Sequence, residues 1–396
     1  MAAVTVELDV RKGAVEQTVP LHNRWHPRIP PLIEVAPGSD CNLQCLDFTG
    51  GQIDRSDDAG DVQKLVFDSV HPLTGPIGVR GAKPGDLLVV DILDIGPAET
   101  WGFSMIFPGH LKTGLLFEDF PDAAKAIWEF DGGAATSPQI PRVTLRPKLH
   151  PGLIGCAPDS ALLLEWNRRE LEYGQRAGSG LTALPPEPRG ALLGGLAESL
   201  WPEVGAEAAR TTAHRENGGN ADIKELGPGS TLYLPVRVEG ANLSVGDLHF
   251  SMGDGEITAA VEMAGWIEIG VDLIRGGMER YGIETPIFKP SPQPERHDYL
   301  TFQGLSIDDS GRQQMLDATL SFRQACRAAI DYLERQGYSP AQAYMLLACA
   351  PIQSRISCVC NRPNACCTVA VPTDIFDFDI TPQPGSEDMQ RRTQRL

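Results

Sequence analysis

The chain has 396 residues, a formal net charge of −18 at pH 7, and 42% hydrophobic residues. This negative charge makes nucleic acid and anionic membranes poor partners, and no apolar run is long enough to span a bilayer. The length predicts two or three domains, or one large β-rich unit. The chain also contains 41 glycines and 32 prolines, which favour many short strands over long helices.

The cysteines and the amino terminus indicate a reducing compartment. The first residues lack the basic and apolar regions of a secretory signal, so we expect a cytoplasmic protein. Four of the nine cysteines, Cys358, Cys360, Cys366 and Cys367, have C-x-C and C-C spacings rather than the paired C-x-x-C of a zinc ribbon. We therefore interpret the cysteines as reduced thiols, buried as small apolar side chains.

The pattern along the chain predicts two β-rich halves. The first spans residues 1–165 and the second 214–380; a surface excursion of low periodicity, 166–213, separates them, and 381–396 form a polar, mobile tail. Within the first half, Asp47 ends an apolar strand just before Gly50. This position can present a ligand or a base, and it is equally ordinary turn chemistry.

Two helices are predicted near the end of the second half. An apolar stripe predicts the first helix, which Asp309 or Ser310 can cap and Gly337 ends. Ser339 and Pro340 suit the N-cap and first position of a second helix that reaches about Cys349. Two strands then follow, broken at residues 363–364.

The stretch from Gly246 to Met263 is richest in chemical groups. Asp254-Gly255 suits the type I′ turn of a two-residue hairpin, which would place His249 opposite Ala260. Because side chains alternate along a strand, one face is apolar and the other is polar. The polar face carries Asp247, His249, Ser251, Glu256, Thr258 and Glu262.

That polar face either meets water or surrounds a cation. Residues 239–272 contain seven acidic residues and no lysine or arginine. Like charges across a β-ladder destabilise the pair, so a positive charge is expected nearby. A divalent cation bound by histidine and carboxylates is the simplest candidate.

Several motifs, taken together, resemble the formamidase/acetamidase family and follow its order from about Leu21 to Phe378. They include HNRWHPRIPP, DFTGGQI, HPGLIGCAP, GGNADIK, VGDLHFSMGDGEI and NACCTVAVPT. The resemblance implies a mainly β fold with α/β additions, in which a β-sandwich-like core of short strands accompanies the C-terminal helical pair. It also implies a homo-oligomer that hydrolyses a short aliphatic amide, such as formamide, to a carboxylic acid and ammonia, and a divalent metal such as zinc.

The same resemblance implies site positions. The family's metal and catalytic residues would fall on Asn220, Asp222, Asp247, His249, Asp254 and Glu256. In the leading hypothesis, His249, Asp222 and Glu256, with Asp254 nearby, hold a metal that activates water. A free carboxylate then accepts the water proton and passes it to ammonia. The candidates for this base are Glu262, Asp47 and Glu256.

Substrate contacts and rival mechanisms complete the predictions. Trp101, Phe103 and Trp266 are the expected walls of a tight pocket. One rival is an amidase with a cysteine nucleophile, Cys156 or Cys366. The others are a γ-lactamase on the same fold and a non-catalytic, metal-binding β-sandwich.

Overall fold

A computed structural model describes residues 4–177, 188–291 and 297–383. The strands are β1 Val4–Val6, β2 Arg24–Trp25, β3 Ile33–Val35, β4 Ser39–Cys45, β5 Thr74–Val79, β6 Leu87–Pro97, β7 Trp101–Ile106, β8 Ala124–Asp131, β9 Ala134–Ser137, β10 Ile140–Leu145, β11 His150–Cys156, β12 Ala209–Arg210, β13 His214–Arg215, β14 Gly218–Asn220, β15 Thr231–Pro235, β16 Leu243–Ser251, β17 Val261–Met263, β18 Gly265–Ile274, β19 Ile287–Lys289, β20 Tyr299–Leu305, β21 Gln353–Cys358 and β22 Cys366–Pro372. The α-helices are α1 Gly60–Gln63, α2 Ser160–Ala177, α3 Trp201–Glu207, α4 Gly277–Tyr281, α5 Ala318–Arg335 and α6 Pro340–Cys349. Short 3₁₀ helices occupy Ala14–Glu16, Phe67–Ser69, Gly109–Leu111 and Glu198–Leu200.

Two large sheets make up most of the fold. A six-stranded sheet has the order β1-β4-β18-β6-β15-β19. An eleven-stranded sheet has the order β10-β9-β8-β7-β17-β16-β11-β14-β13, and β3 and β5 join it beside β16. Apolar side chains of both sheets, such as Leu43 and Leu248, belong to one buried core. The predicted fold class, mainly β with added helices, is confirmed.

The two halves of the chain share these sheets. Strands β4 and β6 pair with β18 in one sheet, and β11 pairs with β16 in the other. Helix α2 crosses the predicted boundary at residue 165. Residues 178–187 of the predicted excursion and 384–396 of the predicted tail lie outside the described residues. Among the described residues, no helix combines the length and the apolar character needed to cross a membrane.

The C-terminal helical pair is present, with one boundary corrected. Helix α6 has Ser339 as its N-cap and Pro340 as its first residue, as predicted. Helix α5 begins at Ala318, capped by Asp317, and not at residues 309–310. The earlier start fails because Asp308 accepts the N–H groups of Ser310 and Arg312 in a turn.

The hairpin prediction has the wrong register. Strands β16 and β17 do pair, but His249 lies opposite Glu262 rather than Ala260. Residues 252–260 form a loop instead of continuing the ladder. A turn at Asp254-Gly255 exists, yet of these two residues only Gly255 has a positive φ, so the turn is not type I′.

Contacts with helix α6 and the residues after it explain this loop. The N–H of Gly253 donates to the carbonyl of Ala348 at 2.7 Å, and the N–H of Asp254 donates to Ile352 at 3.2 Å. The Tyr344 hydroxyl donates to the carbonyl of Ile257. These long-range hydrogen bonds replace the cross-strand bonds that a tight hairpin would form. They also fix the loop that carries Glu256.

Candidate active site

Two neighbouring strands of the eleven-stranded sheet, together with two loops, bring four acidic side chains close to one histidine. Asp247 and His249 lie on β16, Glu262 on β17, Asp222 just after β14, and Glu256 in the 252–260 loop. We call these five residues the acid–histidine cluster. Nε2 of His249 is 3.2 Å from Oε2 of Glu262, 3.3 Å from Oδ1 of Asp247 and 3.8 Å from Oε1 of Glu256.

Three members of the cluster are buried, and Asp222 and Glu256 are half-buried. The exposed fraction is 0% for His249, 1% for Glu262 and 3% for Asp247. Among the ion pairs of the described residues, those of Asp247 involve His249 and His71, and that of Glu262 involves His249 alone. Buried charge is costly unless it is paired, so this density of acids requires protons or a cation.

Three of the acids have an unusual backbone conformation. The φ angles are 48° at Asp222, 58° at Asp247 and 37° at Glu256, in the left-handed region that disfavours residues with a side chain. Such a residue costs about 1–3 kcal/mol and persists only where the surrounding structure enforces it. Backbone strain of this kind is often found at functional sites.

A chain of hydrogen bonds fixes the orientation of His249. Nδ1–H of His150 donates to the carbonyl oxygen of Lys148 at 2.6 Å, because a carbonyl can only accept. Burial holds the pKa of His150 well below its usual range, so its Nε2 is an unprotonated acceptor. Nδ1 of His249 lies 3.2 Å from that atom and is therefore the donor. Nε2 of His249 then presents either a lone pair or a second proton to the carboxylates.

Raised pKa values explain how so many acids can lie together without a cation, because they favour the neutral form of three of the carboxyl groups. Burial, with the charge of Asp247, raises the pKa of Asp222 to about 7. Burial likewise raises the pKa of Glu262 to about 8 and that of Glu256 well above its usual range. Although burial opposes the charged forms, the charges of Glu262 and Asp247 raise the pKa of His249.

The geometry also fits a bound cation. Among the described residues, Oδ1 of Asp222 is buried without a hydrogen-bond partner, and Oε2 of Glu262 lies 3.2 Å from Nε2 of His249. Two overlapping triads have ligand atoms within 4.8 Å of one another: Asp222, Asp247 and His249, and His249, Glu256 and Glu262. Carboxylate oxygens and an imidazole nitrogen are ligands that zinc and other divalent transition metals accept.

Strand β11 forms the floor of the cluster at Gly152. A Cβ atom at this glycine would lie 2.6 Å from Oδ1 of Asp222, 2.6 Å from Oδ2 of Asp247 and 2.7 Å from Cε1 of His249. Only a residue without a side chain lets these three groups approach the strand. The backbone of β11 therefore forms part of the site.

Three of the acids, Asp247, Glu256 and Glu262, line a small cavity of 130 Å³. Its aromatic lining consists of Phe48, Phe67 and Phe107. The other described lining residues are His71, Thr113, Gly114, Thr212, Asn220, Thr258 and Ala259. Drug-sized ligands usually occupy about 300–1,000 Å³, so this cavity suits a much smaller molecule.

Comparison with known proteins assigns the chain to a family. The sequence profile of the Acetamidase/Formamidase family matches residues 7–378. The chain belongs to this family. The family resemblance drawn from the motifs is thereby confirmed.

Relatives match over almost the full length. A formamidase of Methylophilus methylotrophus is 47% identical over 384 residues, which cover 95% of this chain and 94% of the relative. An acetamidase of Mycolicibacterium smegmatis is 46% identical over 369 residues, 89% of this chain and 91% of the relative. The solved structure of a gamma lactamase from Delftia acidovorans superimposes with a TM-score of 0.93 at 48% identity, covering 96% and 95% of the two chains.

The structure brings together five of the residues singled out by sequence, Asp222, Asp247, His249, Glu256 and Glu262. Asp254 is not in the cluster: its carboxylate contacts Nζ of Lys224 at 2.7 Å and accepts the N–H of Ser354 at 2.7 Å. These bonds hold the loop, so the predicted ligand role of Asp254 is corrected to a structural one.

Asp47 also lies outside the cluster. It is half-buried, and its carboxylate accepts the N–H of Thr49 at 2.8 Å and the hydroxyl of the same residue. Burial raises its pKa. Its carboxylate caps a turn, and the neighbouring Phe48 lines the cavity instead.

The predicted aromatic walls are displaced. Trp101, Phe103 and Trp266 are absent from the described lining of the cavity. Phe103 lies behind the wall, with its ring centroid 6.3 Å from that of Phe48. Trp266 is on β18 in the other sheet. Trp101 and Phe103 lie on β7, in the same sheet as β16 and β17, so composition and sheet membership together do not identify the residues that line the cavity.

Three contributors to the site, His71, His150 and Gly152, were not predicted from the sequence. His71 lines the cavity, and its Nε2 is 3.9 Å from Oδ2 of Asp247. His150 is the β-ladder partner of His249. His150 and Gly152 both belong to the HPGLIGCAP motif, which carries part of the family resemblance. This motif is the sequence signal that could have identified them.

The cysteine nucleophiles proposed as a rival are poorly placed. Cys156 is fully buried in the core, and burial raises the pKa of its thiol. Cys366 lies on β22 of the separate three-stranded sheet and is not among the described cavity-lining residues. A reactive cysteine needs a lowered pKa and access to substrate, and neither thiol combines them at this cavity.

Proposed function

We propose that this protein hydrolyses short linear amides, formamide first among them, to a carboxylic acid and ammonia, with water as the nucleophile and a divalent cation, zinc first, in the acid–histidine cluster. The observation that carries the proposal is a largely buried cluster of four acids and one histidine, three of whose acids line a cavity of 130 Å³. Membership of the Acetamidase/Formamidase family supports amide hydrolysis.

Asp222, Asp247 and His249 would hold the cation, since their ligand atoms lie within 4.8 Å of one another beside the floor at Gly152. A divalent cation there would supply a Lewis acid that polarises the amide carbonyl and favours deprotonation of water. The hydrogen bond from His249 to His150 leaves the lone pair of Nε2 available for this purpose.

Glu262 is the proposed general base. It lines the cavity, and one carboxylate oxygen, Oε1, accepts the N–H of Ala260 at 3.0 Å. The other oxygen, Oε2, lies 3.2 Å from Nε2 of His249 and would be free to accept the proton of water once that nitrogen binds the cation. A base works best with a pKa near the working pH, and burial raises the pKa of Glu262 to about 8. The same carboxyl then donates that proton to the departing nitrogen, so ammonia leaves as a neutral molecule.

The remaining cavity residues would position the amide. Oδ1 of Asn220 is buried without a hydrogen-bond partner among the described residues and can accept an amide N–H. Nδ1 of His71, which likewise has no partner in the described part of the chain, can accept an N–H or donate its own. Phe48, Phe67 and Phe107 exclude water and limit the acyl group to a few carbon atoms.

Metal analysis combined with ammonia release from formamide, acetamide and longer amides tests this proposal. We expect about one divalent cation per folded chain, loss of activity after chelation, and recovery after adding zinc. Glu262→Gln should keep its cation and lose at least about 100-fold in kcat, because a general base contributes about 10²–10⁴-fold. Full activity in protein without any cation would refute the cation-dependent mechanism.

A γ-lactam is the second candidate substrate. The solved gamma lactamase with a TM-score of 0.93 favours it. Relative kcat/KM for formamide, acetamide and a γ-lactam separates the two possibilities. A larger kcat/KM for the lactam would replace the linear amide in the proposal while leaving the cation and the base unchanged.

The non-catalytic alternative makes a different prediction for His249→Ala. If the cluster is catalytic, the variant remains folded and loses ammonia release; if it is only structural, the variant unfolds. We further propose that the protein is a cytoplasmic homo-oligomer, as the family resemblance implies. Light scattering on the purified chain tests the assembly.

A further inference from the structure

Two thiols lie close together at the end of β21, whose last residue is Cys358. Sγ of Cys358 is 3.5 Å from Sγ of Cys360. Cys360 is exposed, and Cys358 and Cys366 are half-buried, whereas Cys41, Cys45, Cys156, Cys326, Cys349 and Cys367 are buried. The expectation that the cysteines are buried therefore holds for those six and is wrong for Cys358, Cys360 and Cys366.

The surroundings of Cys358 favour its thiolate. Hydrogen bonds from the backbone N–H groups of Cys360 and Asn361, followed by the thiol of Cys360, lower the pKa of Cys358. Backbone N–H groups that converge on one atom form an anion-binding concavity. The thiolate is the nucleophile in exchange reactions, so Cys358 is the attacking member of the pair.

We propose that Cys358 and Cys360 form a redox-active dithiol site that closes to a disulfide by exchange with a low-molecular-weight disulfide such as oxidised glutathione. The Cys358 thiolate attacks one sulfur of that disulfide and releases one thiolate, which leaves a mixed disulfide on Cys358. Sγ of Cys360, after losing its proton to solvent, attacks Sγ of Cys358 and releases the second thiolate. The protein loses two protons and two electrons, and the small disulfide takes them up to become two thiols.

The geometry favours closure within this pair. The two sulfurs must approach by about 1.5 Å to reach a bond length near 2.05 Å. Residues 359–362, between β21 and β22, are outside regular strands and exposed, so the movement breaks no ladder. Cys366 is the ladder partner of Cys358, but its Sγ is directed to Oε1 of Gln303 at 4.0 Å. Cys366 is therefore the matched control, because it is a nearby thiol that does not belong to the pair.

Intact-mass measurement and peptide mapping of the native full-length protein test the site. With oxidised glutathione, the wild type and Cys366→Ser should lose two hydrogens and give a Cys358–Cys360 link. Cys360→Ser should instead retain one glutathione on Cys358, because no thiol resolves the mixed disulfide. Cys358→Ser should react at least about tenfold more slowly at Cys360.

The proposal is overturned if the link joins Cys358 to Cys366, or if the wild type accumulates glutathione on both thiols without closing. It is also overturned if Cys358→Ser forms a link as fast as the wild type. Circular dichroism of each variant confirms that the comparison is made on folded protein. None of these outcomes depends on the amide reaction, so they are independent of the proposed function.

Discussion

Gly152→Ala offers a sharp test of the site because the glycine touches no substrate. An added Cβ would lie 2.6 Å from Oδ1 of Asp222 and 2.6 Å from Oδ2 of Asp247, where ordinary contact begins at 3.4 Å. Each carboxylate must therefore move by about 0.8 Å, or the strand must move away by as much. Both movements separate the groups that would hold the cation.

A misplacement of about 1 Å costs on the order of 100-fold in rate, so kcat/KM should fall about 100-fold, or roughly 2.7 kcal/mol. The overpacking should cost about 1–3 kcal/mol in the free energy of unfolding, which leaves a large protein folded. Ammonia release gives the first quantity and denaturant unfolding gives the second. The cation content of the folded variant should fall in parallel.

Gly270→Ala is the matched control. Gly270 also lies in a strand, β18, and the nearest atom to its added Cβ is 3.3 Å away. This variant should keep its activity and cation content. If Gly152→Ala retains activity and a full cation load, the cluster does not depend on the close approach of β11, and the assigned ligand set is wrong.

Three further changes test the rest of the site. His150→Ala should weaken cation binding about 10–100-fold, as is typical when the hydrogen-bond partner of a metal-binding histidine is removed. His150→Gln, which keeps a hydrogen-bond acceptor, should lose less affinity. Equal losses for the two variants in chelator competition would contradict the role given to the hydrogen bond between His150 and His249. Cation affinity should rise as pH increases from 6 to 8, by up to about tenfold per pH unit for each proton released. The reason is that the pKa values of Asp222 and Glu262, about 7 and 8, leave these groups protonated below that range. Calorimetry in two buffers counts the released protons, and an affinity that does not change with pH would contradict the assignment. Asp254→Asn should lower the free energy of unfolding by about 3–5 kcal/mol, because it leaves the buried charge of Lys224 without its ion-pair partner. The double variant with Lys224→Met should recover part of this free energy. The cation content of folded protein should be unchanged in both variants.

Local signals in the sequence were sufficient where local physics decides the structure. Ser339 and Pro340 begin α6 because the serine hydroxyl accepts the N–H of Gln342 and proline needs no partner at that position. Gly337 follows α5 with a φ of 104°, which glycine readily adopts. The start of α5 was misplaced because both Asp309 and Asp317 precede apolar residues at helical spacing. Asp308, through its turn, decides between them.

The register of the β16–β17 pair depends on contacts that are distant in sequence. The loop 252–260 bonds to α6 and to Ile352, almost a hundred residues later, and no local pattern reveals this. The prediction still placed His249 and Glu262 on one face because the error was two residues. A shift of two keeps every side chain on its face, whereas a shift of one would have reversed them all.

Asp222 and the aromatic wall show what strand order adds. Asp222 reaches the cluster because β14 pairs with β11, and β11 pairs with β16, across more than sixty residues of sequence. Phe48, which lines the cavity, follows β4 of the six-stranded sheet, three residues after that strand ends. Trp101 and Trp266 are equally aromatic in the sequence, and only the order of strands in space distinguishes them from Phe48.

The burial of the cluster links folding to the chemistry proposed for it. Four acids cannot all be ionised around one histidine in a water-poor site, so the cation-free protein must hold protons on some of them. A divalent cation would replace those protons in the proposed mechanism, since the ligand atoms of each of the two overlapping triads already lie within 4.8 Å of one another. The left-handed backbone at Asp222, Asp247 and Glu256 helps to bring these acids together. The proposed mechanism therefore needs no rearrangement of the fold, because the acids that would hold the cation are already arranged around His249.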